Sequence, residues 1–73
     1  MDKVTHEEAE FMYYKNGTAG SFRTALYDLF FKGDMFNQNK LEEAFPYLWV
    51  ARRYAHEQGY WEDLQARWNY CKI

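Results

Sequence analysis

A chain of 73 residues with nine Lys and Arg against eleven Asp and Glu carries a formal net charge of -2, so it lacks the positive surplus on which nonspecific nucleic-acid or anionic-membrane binding draws. Its single Cys, Cys71, excludes an internal disulfide framework, and no apolar run approaches the length that spans a bilayer. Six Phe, seven Tyr and three Trp make 22% of the chain aromatic, and rings of about 200 Å² each would claim about 40% of the surface that a chain of this size buries on folding.

Thr5 followed three residues later by Glu8 reads as a capping box, and Glu7 suits the positive end of a helix dipole. A first helix is predicted from about His6 to Lys15, with Ala9, Met12 and Tyr13 as its inner stripe. Asn16 and Gly17 end it, because Gly takes the left-handed C′ conformation without a Cβ clash.

Ser21 is the expected N-cap of a second helix. Phe22, Ala25, Leu26, Leu29 and Phe30 then fall at i, i+3, i+4, i+7 and i+8, the strongest helical signal in the chain. Tyr27 and Phe31 project from the opposite side, so this helix is apolar on two faces and is either sandwiched in the domain or shared with another chain. Gly33 closes it. Asn37 or Asp34 caps a short third helix that runs to about Phe45 and is ended by Pro46.

Pro46 fits the first turn of a fourth helix and Gly59 its C′ position. Tyr47, Val50, Ala51 and Tyr54 form one stripe, while Trp49, Arg52, Arg53 and His56 form another at the same three-and-four spacing. A fifth helix carries Trp61, Leu64, Trp68 and Cys71 on one side, with Glu62 and Asp63 in its first turn and Asp63 placed to pair with Arg67. No segment alternates with period two. The chain therefore reads as one all-α domain, residues 1–73, a compact bundle of four to five short helices.

The stretch from Gly20 to Pro46 resembles a group of small uncharacterised proteins encoded by bacteriophages and mobile elements. The resemblance rests on Gly20, Ser21, Phe22, Thr24, Ala25 and Leu26, then Phe31, Lys32 and Asp34, then Asn37, Lys40 and Leu41, and finally Ala44, Phe45 and Pro46. It departs at Gly33, where the pattern usually carries Ala. The resemblance implies an origin and no catalytic residue or ligand.

Chemistry-bearing clusters are scarce. The loop from Asn16 to Ser21 places two Gly before a helix, but its spacing matches neither a P-loop nor a dinucleotide fingerprint and no strand precedes it. Asp34, Asn37, Asn39, Glu42 and Glu43 lack the order of an EF-hand and read as caps and a solvated face. His6 and His56 would need Cys71 or distant carboxylates to hold zinc, and Cys71 reads as an inert, half-buried thiol. No base is placed beside a nucleophile, so neither an enzyme nor a cofactor is expected.

The face of Trp49, Arg52, Arg53 and His56 is the best binding candidate, because Trp and Arg combine contact area with directed donors. With Tyr27 and Phe31 it makes the expected partner-binding set. The leading expectation is a small phage or mobile-element protein that binds a host protein, an inhibitor of a defence component being one such role. Self-association through Tyr27 and Phe31 of helix two is the alternative. Weak single-stranded nucleic-acid binding on Trp49, Arg52 and Arg53 is the third, made less favourable by the acidic balance. The acidic start of the chain is unlike a signal peptide, so a cytoplasmic location is expected.

Overall fold

The computed structural model of the chain describes residues 3–72, the last two by their backbone alone. The capping box forms as read: the Glu8 amide donates to Thr5 Oγ1 at 3.1 Å and the Thr5 amide to Glu8 Oε1 at 3.0 Å. It opens α1, His6–Lys15. At the other end Gly17, with φ of 78°, lets its own amide reach the Tyr14 carbonyl at 3.0 Å and the Thr18 amide reach Tyr13 at 2.8 Å, a Schellman closure.

α2 spans Ser21–Lys32, with Gly20 at the N-cap and no side-chain bond there, so Ser21 is the first helical residue rather than the cap. α3 spans Met35–Ala44 and is capped by Asp34, whose carboxylate accepts the Asn37 amide at 2.8 Å. Pro46 opens a 3₁₀ turn, Pro46–Leu48, that runs into α4, Trp49–His56. Gly59, at φ of 88°, turns the chain into α5, Tyr60–Lys72. The described residues contain no strand, and the chain is an all-α bundle of short helices.

Rings gather around Phe11 of α1. Its edge or face meets Tyr27 at 5.2 Å, Phe31 at 6.4 Å, Tyr54 at 5.2 Å and Trp61 at 6.3 Å between centroids, so one side chain joins α1 to α2, α4 and α5. Met12, Leu26, Phe30, Leu48, Val50, Ala51, Tyr60 and Leu64 are buried with Phe11 and Tyr27. The stripe of Val50 and Ala51, with Tyr47 and Tyr54 half-buried beside them, lies as predicted.

Two stripes are rotated from their expected settings. In α1 the buried residues are Glu8, Phe11 and Met12, and Tyr13 is exposed. In α2 the inward residues are Leu26, Tyr27 and Phe30, with Phe31 half-buried, while Phe22 and Leu29 face outward. Tyr27 is fully buried, so neither a partner nor a second copy can meet it in this fold. The neighbouring helix accounts for it: α1 presents Phe11 and Tyr14, and the rings of Tyr27 and Phe31 both pack against them. Period alone cannot choose between two apolar faces.

A polar clamp ties α1 to α5. Arg67 of α5 donates from Nη1 to Glu8 Oε1 and from Nη2 to Glu8 Oε2, both at 2.9 Å, and from Nε to Asp63 at 2.8 Å. The Asp63 to Arg67 pairing is the one expected from their spacing. The Tyr60 hydroxyl adds a fourth donor to Glu8, at 2.5 Å, beside the Thr5 amide and the two Arg67 nitrogens. Cys71, expected on the inner stripe of α5, lies outside the described side chains.

Candidate functional site

The four residues expected to share a binding face of α4 are divided between internal contacts. Trp49 is half-buried against the core. Arg52 turns toward α3, where Nε donates to Glu42 and Nη2 donates to Asn39 Oδ1 at 2.6 Å. His56 Nε2 lies 3.0 Å from Gln38 Oε1, and the Gln38 amide nitrogen donates to the Phe30 carbonyl at 3.0 Å. Gln38 thus satisfies a carbonyl at the end of α2 and holds His56 with its other atom, which makes it a buried strut between α2, α3 and α4.

Arg53 points the other way. Its guanidinium grips Glu57 through Nε at 2.7 Å and Nη2 at 2.6 Å and lies 4.2 Å over the Tyr60 ring. The hydrogen bonds to Glu57 push the Arg53 pKa up, and the same bonds pull the Glu57 carboxyl down. Arg52 and Arg53 therefore do not present a joint cationic surface, and Tyr27 is buried and Phe31 half-buried against Phe11 rather than placed beside them.

Glu8 is the most perturbed carboxyl. Burial pushes its pKa up, but the Arg67 hydrogen bonds, the Thr5 amide, the Tyr60 hydroxyl and the Arg67 charge together outweigh burial and hold it at about 2. Such a shift can mark a catalytic acid. Here each oxygen already accepts two bonds, Oε1 from the Thr5 amide and Arg67 and Oε2 from Tyr60 and Arg67, and the residue is 2% exposed. No lone pair is left for a substrate, so the cluster clamps helices.

Among the described residues no group of three or more His, Cys, Asp or Glu is gathered to hold a metal ion. No helix among them is long and apolar enough to cross a membrane.

Of the six large exposed apolar side chains among the described residues, Tyr13 and Tyr70 lie on α1 and α5 and the other four lie on α2 and α3. Phe22, Ala25 and Leu29 recur there at i, i+3 and i+7, with Phe22 65% and Leu29 54% exposed. The Phe22 ring meets Phe45, at the end of α3, edgewise at 6.0 Å. Met35 and Phe36, in the first turn of α3, are 55% and 65% exposed.

Between the two helices runs a groove of about 370 Å³, lined by Leu29, Lys32 and Gly33 on one side and Asn37, Lys40 and Leu41 on the other. The helices approach closely at its end: a Cβ on Gly33 would stand 3.3 Å from Asn37 Cβ. The Lys40 ammonium lies 4.6 Å over the Phe36 ring.

Comparison with known proteins gives no match, whether to a family model, a curated protein or a solved structure.

The surface of α2 and α3 was partly visible in the sequence. The two apolar faces of α2 require one of them to be outside or covered; Leu26 and Phe30 are buried as their spacing predicts, while Tyr27 is buried in place of Phe22 and Leu29. Met35 and Phe36 carried no periodic signal, since they sit beside a cap in a short polar helix. The spacing of Phe36 and Lys40, one turn apart, was the available clue.

Proposed function

We propose that the chain is a small phage or mobile-element protein that works by binding a host protein, and that its contact surface is the outer side of α2 and α3. The observation that carries the reading is the shared exposure of Phe22, Leu29, Met35 and Phe36 on adjoining helices, in a protein whose other large side chains mostly pack against one another. Clustered exposed apolar side chains mark interaction surfaces more often than scattered ones do. The pairing of buried Glu8 with Arg67 and of half-buried Arg52 with Glu42 supports binding over catalysis, because these inward-facing charges are occupied by protein partners. The resemblance over Gly20 to Pro46 spans this same surface, and it favours a role against a host component such as a defence protein.

The test is affinity purification of the tagged protein from its native host, beside a Phe22→Ser/Leu29→Ser variant. The variant should lose the co-purifying protein and keep the wild-type circular dichroism spectrum, since both side chains are more than half exposed. Full capture by the folded variant would remove this surface from the proposal.

A further inference from the structure

The groove between α2 and α3 differs in charge from the rest of the protein. The chain has eleven Asp and Glu, yet the groove lining contains two Lys and no acid. Lys32 and Lys40 form no ion pair among the described residues, although Lys40 rests on Phe36. The acids close to it in sequence lie outside the lining: Asp28, one turn before Lys32, accepts from the Tyr14 hydroxyl, Asp34 caps α3 through the Asn37 amide, and Glu43 lines a neighbouring depression together with Lys40 and Ala44. The apolar part of the lining comes from Leu29 and Leu41.

The apolar surface also continues past the groove. Phe22 and Leu29 are seven residues apart on α2, about 10 Å at 1.5 Å per residue, and Phe22 joins Phe45 at the far end. Apolar anchors at i, i+3 or i+4 and i+7 of a bound helix span the same length.

We infer that the α2–α3 groove receives an amphipathic helix whose apolar stripe is flanked by carboxylates, Leu29 and Leu41 seating the stripe and Lys32 and Lys40 meeting the acids. The inference rests on the protein-binding reading and names the partner's chemistry. A small anionic ligand would fill the groove and leave the Phe22 and Phe45 end uncovered. A second copy docking through the same face across a two-fold axis would bring lysine-lined grooves together, and like charges there oppose the contact. A single nucleic-acid strand could stack bases on the exposed Phe22 and Phe36 rings, but the groove lining holds no ring and a chain of net charge -2 opposes a phosphate backbone.

The experiment selects peptides from three displayed libraries of amphipathic helices, alike in apolar spacing and carrying acidic, uncharged or basic flanks, against the whole protein. The acidic library should enrich. Enriched peptides, followed by fluorescence anisotropy, should weaken about tenfold or more on a Lys32→Glu/Lys40→Glu variant and as the salt concentration rises. The same variant should enrich the basic library instead. Leu29→Ser should weaken binding to both. Circular dichroism checks that each variant is folded, and all three positions lie at the surface or groove wall.

Enrichment of uncharged or basic peptides by the wild type, enrichment of nothing, or acidic binders indifferent to Lys32 and Lys40 would each overturn the inference. So would displacement of the peptides by oligothymidylate at equal concentration, or sedimentation showing a dimer that the Lys32→Glu/Lys40→Glu variant leaves intact. If host-protein capture still depends on Phe22 and Leu29 while no acidic helix enriches, the groove chemistry fails and the binding surface stands. If capture fails as well, both fall.

Discussion

Replacing Glu8 with Gln removes one charge from the clamp and leaves its shape. Gln at the third position of a helix still serves a capping box, so α1 keeps the bond between Thr5 and position 8. What changes is the partnership with Arg67. In the folded protein the Glu8 carboxyl is held at about 2 against an ordinary value of 4.5. At about 1.4 kcal/mol per pH unit, that difference corresponds to about 3 kcal/mol of stability. It is in the range of about 3–5 kcal/mol for leaving one partner of a buried pair alone. A domain of this length has about 4–11 kcal/mol in total, so the effect is large.

The sign follows from the direction of the shift. A carboxyl whose folded value lies below its unfolded value contributes fully above about 4.5 and loses its contribution as the pH falls toward about 2. At pH 7, urea unfolding followed by circular dichroism should place Glu8→Gln about 3 M below the wild type, given an m value near 1 kcal/mol per M. The gap should shrink steadily below pH 4.5 and nearly vanish at about pH 2. The wild type should also lose some stability in this range through Glu57, whose carboxyl is likewise lowered by Arg53, but that loss is common to both proteins and cancels in the comparison. A gap that stays constant from pH 7 to pH 2.5 would show that Glu8 acts by packing and not by charge.

Two further predictions bear on the core and the turns. The Tyr27 hydroxyl is buried with no hydrogen-bond partner among the described residues. Burial pushes its pKa up, while the nearby Arg23 pulls the other way. Tyr27→Phe should therefore leave stability unchanged or raise it by about 1 kcal/mol, measured by thermal unfolding, and a loss of more than about 1 kcal/mol would reveal a bond that the hydroxyl makes. Gly59→Ala should cost about 1 kcal/mol, because φ is 88° there and the added Cβ meets nothing within 4 Å, so the cost is conformational and not steric. An unchanged melting temperature would mean that the turn between α4 and α5 relaxes to accept Ala.

Local chemistry made the helix boundaries readable. Thr5 with Glu8, Gly17, Asp34 and Gly59 each act through their own backbone neighbours, so a reader of the chain meets cause and consequence within a few residues. The Asp63 and Arg67 pair is equally local. Which side of each helix faces inward was readable only where one side was apolar. α4 qualifies, with Val50 and Ala51 inside. α2 does not, since both of its sides are apolar and the decision belongs to Phe11 and Tyr14, sixteen and thirteen positions before Tyr27. The charged groups were harder still. Glu8 reads as a cap and is one, yet it is also the buried partner of a residue near the other end of the chain, and Gln38 looks like a solvated helix residue until Phe30 and His56 are placed beside it. Of the candidate site, the surplus of rings was legible in composition, while its position depended on the same undecided face of α2.

The exposed rings alone do not make a strong site. Phe22 and Phe36 are each 65% exposed. At about 200 Å² per ring and 25 cal/mol per Å², covering both completely would contribute about 6 kcal/mol. Half-exposed Leu29 and Met35 would add about 2 kcal/mol. Association costs about 4–15 kcal/mol in lost freedom before any affinity is observed, and a micromolar complex requires a net value of about 8 kcal/mol. A partner that merely covered these four side chains would therefore bind weakly. It must also fill the groove and satisfy Lys32 and Lys40, which is why reversing those two charges tests the reading more severely than removing any one ring.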